Sequence, residues 1–353
     1  MEELVKYIPQ IPENQRYWFV RTNSGEYYEN FVNDGFIGIG WNRIELKHLK
    51  ENRPLEDIVR EKYKNENRPN YVANQIKTFC YDIKKGDIVL IPSSKSAYIH
   101  FGIVQDDEPY EEDIPIEIEN IDEHSEWFFE YEGVCPYRKR RQVKWIKVVR
   151  RDNLDPQLYK LIYSQHTISK ADGYAEYIDK SLFDFYIKGD KCHFILHVRR
   201  KEHIKAHHLI PFMSDLLAIA DNNKLGSDNE IDIKVSIQSP GTIELIGGIQ
   251  NIVIFSLILL TVVGGRFKFF TMEWDTPGIV GRFLEWHRIK RQGQNQEQET
   301  NGLTEQQQER LVANAENLDI QMPEQLQKAL KAYIEDINKQ MSAAAETKSK
   351  EEE

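Results

Sequence analysis

Cysteine is scarce in this chain: three of 353 residues, Cys80, Cys135 and Cys192. They lie far apart with no C-x-x-C pair, which excludes a disulfide framework and a zinc knuckle and points to a reducing compartment. An excess of positive charge is missing too. The chain carries 46 Lys and Arg against 57 Asp and Glu, a net charge of −11, which argues against a protein that coats nucleic acid generally but not against a local basic site. The opening MEELVKYIPQIPENQ has no basic stretch followed by an apolar run, so no secretory signal is expected. There is no internal repeat, no phosphate-cradling glycine loop and no nucleophile elbow. No catalytic residue, cofactor or metal ligand is assigned.

What is present suffices for ordinary cores: 40% hydrophobic and 11% aromatic residues, in a length that fits two domains and a tail. The expected layout is an N-terminal arm over 1–15, a first domain over 16–190, a second over 191–291, and a polar linker with helices and a charged end over 292–353. In the first domain, YWFVRT, FIGIG, IVLIP, AYIHFGIV and VKWIKVV have strand composition. Between them, Pro69–Ile83 places Val72, Ile76, Phe79 and Ile83 on one helical face, and helices are expected from Asp155 to about Tyr186.

Charge is segregated within this domain. Residues 106–132 hold thirteen Asp and Glu and no Lys or Arg, whereas 138–151 hold eight Lys and Arg and no acid. Two accounts fit, and both can hold: a solvated acidic loop that pairs with a basic strand, or an anion-binding wall screened on one side by acid.

The blocks YWFVRTNSGEYYENFVNDGFIGIGW, NQIKTFCYDIKKGDIVLIP, YIHFGIVQDDEPYEE and RRQVKWIKVV, taken in order over roughly 16–187, resemble the PUA-like module found ahead of Mrr-type restriction nucleases. That family is similar to EVE- and YTH-type readers. The resemblance implies an α+β chain that begins with a PUA-like mixed α/β pseudo-barrel and reads a nucleotide, an oligonucleotide or a modified base. A base is recognised by stacking on aromatic planes and by hydrogen bonds to its edges, and its phosphates need Arg or Lys. The candidate ligand-binding residues are therefore Trp41, Tyr98 and Tyr110, the loop residues Ser93 and Ser94, and Arg138, Arg140 and Arg141. Core packing is the competing account for Trp41 and the better one for Trp145, and a solvated face is the commoner role for an arginine cluster.

In the second domain, HFILHVR and IDIKVSI look like strands around an amphipathic helix over Lys201–Asp221. Asp232-Ile233-Lys234 has the D-x-K spacing of a Mg²⁺-dependent nuclease, with Asp215, Asp221 or Asp228 as an upstream acid; an exposed strand face of alternating charge explains it more simply. His203, His207 and His208 have metal-ligand spacing but no Glu in an H-E-x-x-H pattern. The small α/β domain also carries one very apolar helix over 243–263, whose length lies between a buried core helix and a membrane span. A membrane segment is the preferred reading, with Gln250, Asn251, Ser256 and Thr261 lining a pore or a helix seam. Arg266, Lys268, Arg282, Arg288, Lys290 and Arg291 follow it, and this conflicts with a single span from a cytoplasmic first domain. A strand over Phe267–Met272, an amphipathic helix over Ile279–Lys290, and a helical C-terminal tail over Leu303–Met341 that assembles subunits complete the expectation.

SPGTIELIGG, the apolar stretch and GGRFKFF resemble a membrane-associated module of bacterial proteins. The whole architecture resembles anti-phage defence effectors in which a nucleotide signal gates membrane damage. That implies a cytoplasmic homo-oligomer at the inner membrane, served by a signal-producing enzyme encoded nearby. A modified-DNA-directed nuclease and a soluble nucleic-acid adaptor remain the alternatives.

Overall fold

The computed structural model describes residues 2–116, 118, 133–200, 202–223, 225, 231–236, 241–263, 303–333, 335–336 and 339. The chain is α+β and divides into a central unit, Asn14–Leu182, and a flanking unit formed by Met1–Glu13 with Phe183–Glu353. Helix α1 (Glu2–Val5) and strand β1 (Gln10–Ile11) open the chain and belong to the flanking unit.

The central unit runs β2 (Tyr17–Val20), α2 (Tyr28–Asn33), β3 (Phe36–Ile39), α3 (Leu55–Lys62), α4 (Pro69–Lys77), β4 (Ile88–Pro92), β5 (Tyr98–Val104), β6 (Tyr110–Glu111), β7 (Lys139–Arg150), α5 (Leu158–Ile162), β8 (Ile168–Lys170) and α6 (Ala175–Leu182). Its seven strands form a half-barrel sheet in the order β3-β7-β5-β4-β2-β8, with β6 also on β7. The β2–β4 pair is parallel and the other pairs are antiparallel. Apolar residues of α2, α3 and α4, among them Phe31, Ile58, Val72 and Ile76, pack against Trp18, Ile37, Ile91 and Val104. Gly102 on β5 is a packing requirement: a Cβ there would meet Val143 Cγ1 at 2.3 Å and the Trp145 ring at 2.6 Å. Asp87, next to Gly86 at φ 88°, closes its turn by accepting from Lys84 N at 2.9 Å and from Trp18 Nε1 at 2.7 Å.

Strand β7 starts earlier than composition suggests, because Lys139, Arg140 and Arg141 lie within it and are buried. Lys139 Nζ donates to the carbonyls of Trp41 and Ile44, each at 2.8 Å. Arg140 donates to the Tyr137 and Cys135 carbonyls and to Glu112. Arg141 donates to the Phe79 and Cys80 carbonyls, 2.9 and 3.1 Å away, and to Asp106 at 3.0 Å. Phe79 and Cys80 sit in the π-helical turn Thr78–Asp82 that continues α4. Such a turn departs from the regular helical bonding pattern, and here two of its carbonyls accept from the arginine. The pairing account of the charge segregation is thus realised at Glu112 and Asp106.

The flanking unit continues with β9 (Phe185–Lys188), β10 (Lys191–Val198), α7 (Ala206–Asn222), β11 (Asp232–Ser236), β12 (Gly241–Gly248), α8 (Ile249–Val263), α9 (Glu305–Asn317) and β13 (Ile320–Gln321), followed by helix over residues 324–333. Its sheet has the order β1-β9-β10-β12-β11, with β13 also on β10. One core joins Phe194, Leu196, Ile243 and Leu245 of the sheet to Phe212 and Leu216 of α7, Ile252 and Phe255 of α8, and Leu311 of α9.

Three expectations change here. The apolar run 243–263 is two elements: its first six residues belong to β12, which is hydrogen-bonded to β10 on one side and β11 on the other. Most residues of β12 are buried whichever face they point to, and such a strand reads as a continuous apolar run. The domain border falls at Leu182/Phe183, and residues 1–13 join the second unit because β1 pairs in parallel with β9. The tail leucines expected to assemble subunits, Leu311, Leu318 and Leu326, are fully buried in the flanking unit's own core. The expected strand over 267–272, the helix over 279–290 and the basic residues from Arg266 to Arg291 lie outside the described residues.

Removing the Arg141 guanidinium leaves two buried carbonyls without that donor and takes one partner from the part-buried Asp106 carboxylate. Arg141→Ala is expected to lower the unfolding free energy by about 3–5 kcal/mol, with Arg141→Lys recovering only part, since one ammonium cannot reproduce a planar fork. Urea unfolding followed by tryptophan fluorescence measures both.

Candidate functional site

The residues singled out from sequence do not converge. Tyr110 pairs with Arg140 near the start of β7, whereas Tyr98 pairs with Arg150 at its end. Those two arginines are ten residues apart, roughly 33 Å along the strand. Ser93 and Tyr98 close the β4–β5 turn on each other: Tyr98 N donates to Ser93 Oγ at 2.9 Å and Ser93 N to the Tyr98 carbonyl at 2.9 Å. Ser94 is exposed, and its backbone abuts Gly25. Trp41, at φ 57°, packs partly buried against the core. Arg138 is half-buried, with Nε 3.4 Å from the Glu112 carbonyl. Arg140 and Arg141 are buried and bonded as described, and the Arg140 guanidinium lies 4.1 Å over the Phe36 ring. These two side chains hold the fold, not a phosphate.

In the flanking unit, Gln250 is exposed, Asn251 is half-buried, and Ser256 is buried with Oγ donating to the Val253 carbonyl at 2.8 Å. The Thr261 side chain lies outside the described residues. No helix among the described residues is long and apolar enough to cross a membrane. Asp215 is bound by Arg310, Asp221 is exposed, and Asp228 is not described. His203 precedes α7, so the helical spacing with His207 is not realised. No group of three or more His, Cys, Asp or Glu among the described residues is placed to hold a metal ion.

The central unit does contain an open cleft of about 620 Å³ at the β8 edge of its sheet. Helix α4 presents Tyr71, Asn74 and Gln75, at i, i+3 and i+4 and therefore on one face. Lys160 and Leu161 of α5, Ser164 and His166 of the following loop, Ile168, Ser169 and Lys170 of β8, and Tyr174 complete the lining. The frame is held from behind. Gln75 Oε1 accepts from Ile168 N at 2.6 Å, Tyr71 Oη accepts from Thr167 N at 3.1 Å, and Arg21 Nε donates to the Ser164 carbonyl at 2.8 Å. The Tyr71 and His166 rings are 5.6 Å apart and tilted by 34°, and the Arg68 guanidinium lies 4.9 Å over Tyr71. Lys160, His166 and Lys170 are exposed. Lys170 lies 3.2 Å from Asp172, which is not part of the lining. In a chain of net charge −11, this lining contains no carboxylate.

Sequence reasoning overlooked every residue of this cleft. A signal was available: Tyr71, Asn74 and Gln75 are the polar counterpart of the Val72, Ile76 and Phe79 stripe. The lysines came unremarked from α5 (Lys160) and the end of β8 (Lys170).

Fold and cleft together define an α+β module with an open, cationic, aromatic-lined depression at a sheet edge. Residues 18–171, from β2 to just past β8, match the family described as Domain of unknown function (DUF8426). Comparisons with curated proteins and with solved structures find no match.

A second cluster lies beneath α2. Tyr28 Oη and His100 Nδ1 are hydrogen-bonded, the His100 and Trp145 rings are 5.8 Å apart, and Trp145 Nε1 donates to the Phe31 carbonyl at 2.8 Å. Burial pushes the Tyr28 phenol up to about 12 and the His100 imidazole below its usual range, so the phenol keeps its proton and the neutral ring accepts it. A histidine depressed in the folded state contributes stability that is present above the unfolded value and lost as pH falls from there through the lower folded value. The urea midpoint is therefore expected to fall as the pH drops below the ordinary histidine value of about 6.5, and His100→Gln is expected to flatten that slope.

Proposed function

We propose that the central unit is a reader of a phosphate-bearing aromatic ligand, a nucleotide or the end of an oligonucleotide, held in the Tyr71–His166–Tyr174 cleft. The observation that carries this reading is the carboxylate-free lining, in which flat rings stand beside Lys160 and Lys170. Rings offer a stacking platform, the two ammonium groups attract phosphate without fixing its geometry, and Asn74, Ser164 and Ser169 supply hydrogen-bonding groups for base edges or ribose. The resemblance to PUA-like readers agrees with the ligand class, while the geometry moves the candidate pocket away from Trp41, Tyr98 and the arginines of β7. Exposure of both lysines makes the electrostatic contribution salt-sensitive.

Titration calorimetry of the full chain with nucleoside monophosphates and with short single-stranded DNA and RNA tests this. Binding is expected to weaken about 5- to 150-fold in Tyr174→Ala, the equivalent of roughly 1–3 kcal/mol for one stacked base. In Lys160→Glu/Lys170→Glu it should weaken further and lose much of its salt dependence. Absence of binding by the wild type across that set, or equal binding by the lysine double variant, overturns the reading.

A further inference from the structure

Strand β11 lies at the end of the flanking unit's sheet and, among the described residues, pairs with β12 alone. Four of its five residues are exposed, and Val235 is 40% exposed despite being apolar. An open edge strand is a template for another strand, and a single charge on an edge usually prevents that by repelling its own copy. Here Asp232 and Lys234, two residues apart, carry opposite charges on one face of the strand. Ile231, Ile233 and Val235 alternate with them, and Ile231 and Ile233 pack against the helix-covered core.

We propose that β11 is a self-pairing edge, through which two copies of this chain join antiparallel about a two-fold axis perpendicular to the sheet at Ile233. Such an axis keeps the helices of both copies on the same side, so a residue can face only a residue of its own face. Centring on Ile233 sets Asp232 of each copy opposite Lys234 of the other, Ile233 opposite Ile233, and Ile231 opposite Val235. Opposite charges directly across an antiparallel pair stabilise it and like charges destabilise it. Centring on Asp232 or on Lys234 brings like charges face to face, so the charges select one register. The apolar row is continued across the axis, and the exposed Val235 gains an isoleucine neighbour. Asp232 already lies 3.8 Å from Lys191, an exposed pair of the kind that contributes little and does not hold the carboxylate in place. The C-terminal leucines are spent on the core, so self-association needs another surface, and this edge is one.

The test is the mass of the full chain by sedimentation and light scattering, with charge exchange at the two positions. Wild type is expected to be a dimer. Asp232→Lys and Lys234→Asp, each placing like charges opposite one another, are expected to shift the monomer–dimer midpoint at least about tenfold toward monomer. Asp232→Lys combined with Lys234→Asp restores the complementarity and is expected to restore the dimer. Circular dichroism of each variant separates loss of pairing from loss of folding. A monomeric wild type, a dimer unaffected by the single reversals, or a double exchange that fails to recover while folded would overturn the proposal. Nucleotide binding in the central unit is read separately, so either proposal can fail alone.

Discussion

Three consecutive buried cations at the head of β7 organise the central unit. In a strand, neighbours point to opposite faces, so Lys139 and Arg141 serve one side of the sheet and Arg140 the other. A buried ammonium or guanidinium is tolerable only when its N–H groups are satisfied and its charge is answered. Lys139 reaches the carbonyls of Trp41 and Ile44 in the segment after β3, and Arg141 reaches those of Phe79 and Cys80. Arg140 gathers Cys135 and Tyr137. Irregular backbone that would otherwise carry open carbonyls is tied to one strand, and the acids Asp106 and Glu112 come with it. Part of the charge segregation visible in the sequence is therefore a pairing rule for the sheet, and three of its cations, Lys139, Arg140 and Arg141, are consumed by the fold.

That consumption explains what was and was not legible. Strands with alternating or wholly apolar composition were readable: Ile88–Pro92 falls where IVLIP lies, and the face of Val72, Ile76 and Phe79 does form a helix. Arginines at a strand start are ambiguous, because the same residues serve phosphates at a surface and carbonyls in an interior. Sequence does not say which carbonyls are left over, since that depends on a π-turn sixty residues away. The domain border was illegible for a related reason: β1 pairs with β9, which follows the whole central unit in sequence, with no linker composition to mark it. The cleft followed the same rule in reverse. Its rings come from segments distant in sequence, and the β2–β8 pairing together with the Gln75–Ile168 and Tyr71–Thr167 bonds brings α4 beside the segment from α5 to β8.

The apolar stretch at 249–263 shows how a composition signal is resolved by geometry. The fifteen described helical residues extend about 22 Å at about 1.5 Å each, short of the roughly 30 Å hydrocarbon core of a bilayer. A helix apolar on every side needs an apolar surround, and a membrane is one of two ways to provide it. Here the surround is protein: the sheet supplies Phe194, Leu196 and Leu245, α7 supplies Phe212 and Leu216, and α9 supplies Leu311 and Ala315. Helix α9 earns that position by its own sequence. Thr304 and Gln307 form a reciprocal capping box that starts it, a pattern that satisfies orphan N–H groups at the first turn, and Arg310 on its outer side fixes it to Asp215 of α7. The Gln- and Glu-rich composition of the expected subunit-assembling tail is thus, over α9, the solvent side of an amphipathic helix whose other side is structural. Helices α7, α8 and α9 thus share one core with the sheet, and the Arg310–Asp215 pair ties α7 and α9 together beside the apolar helix.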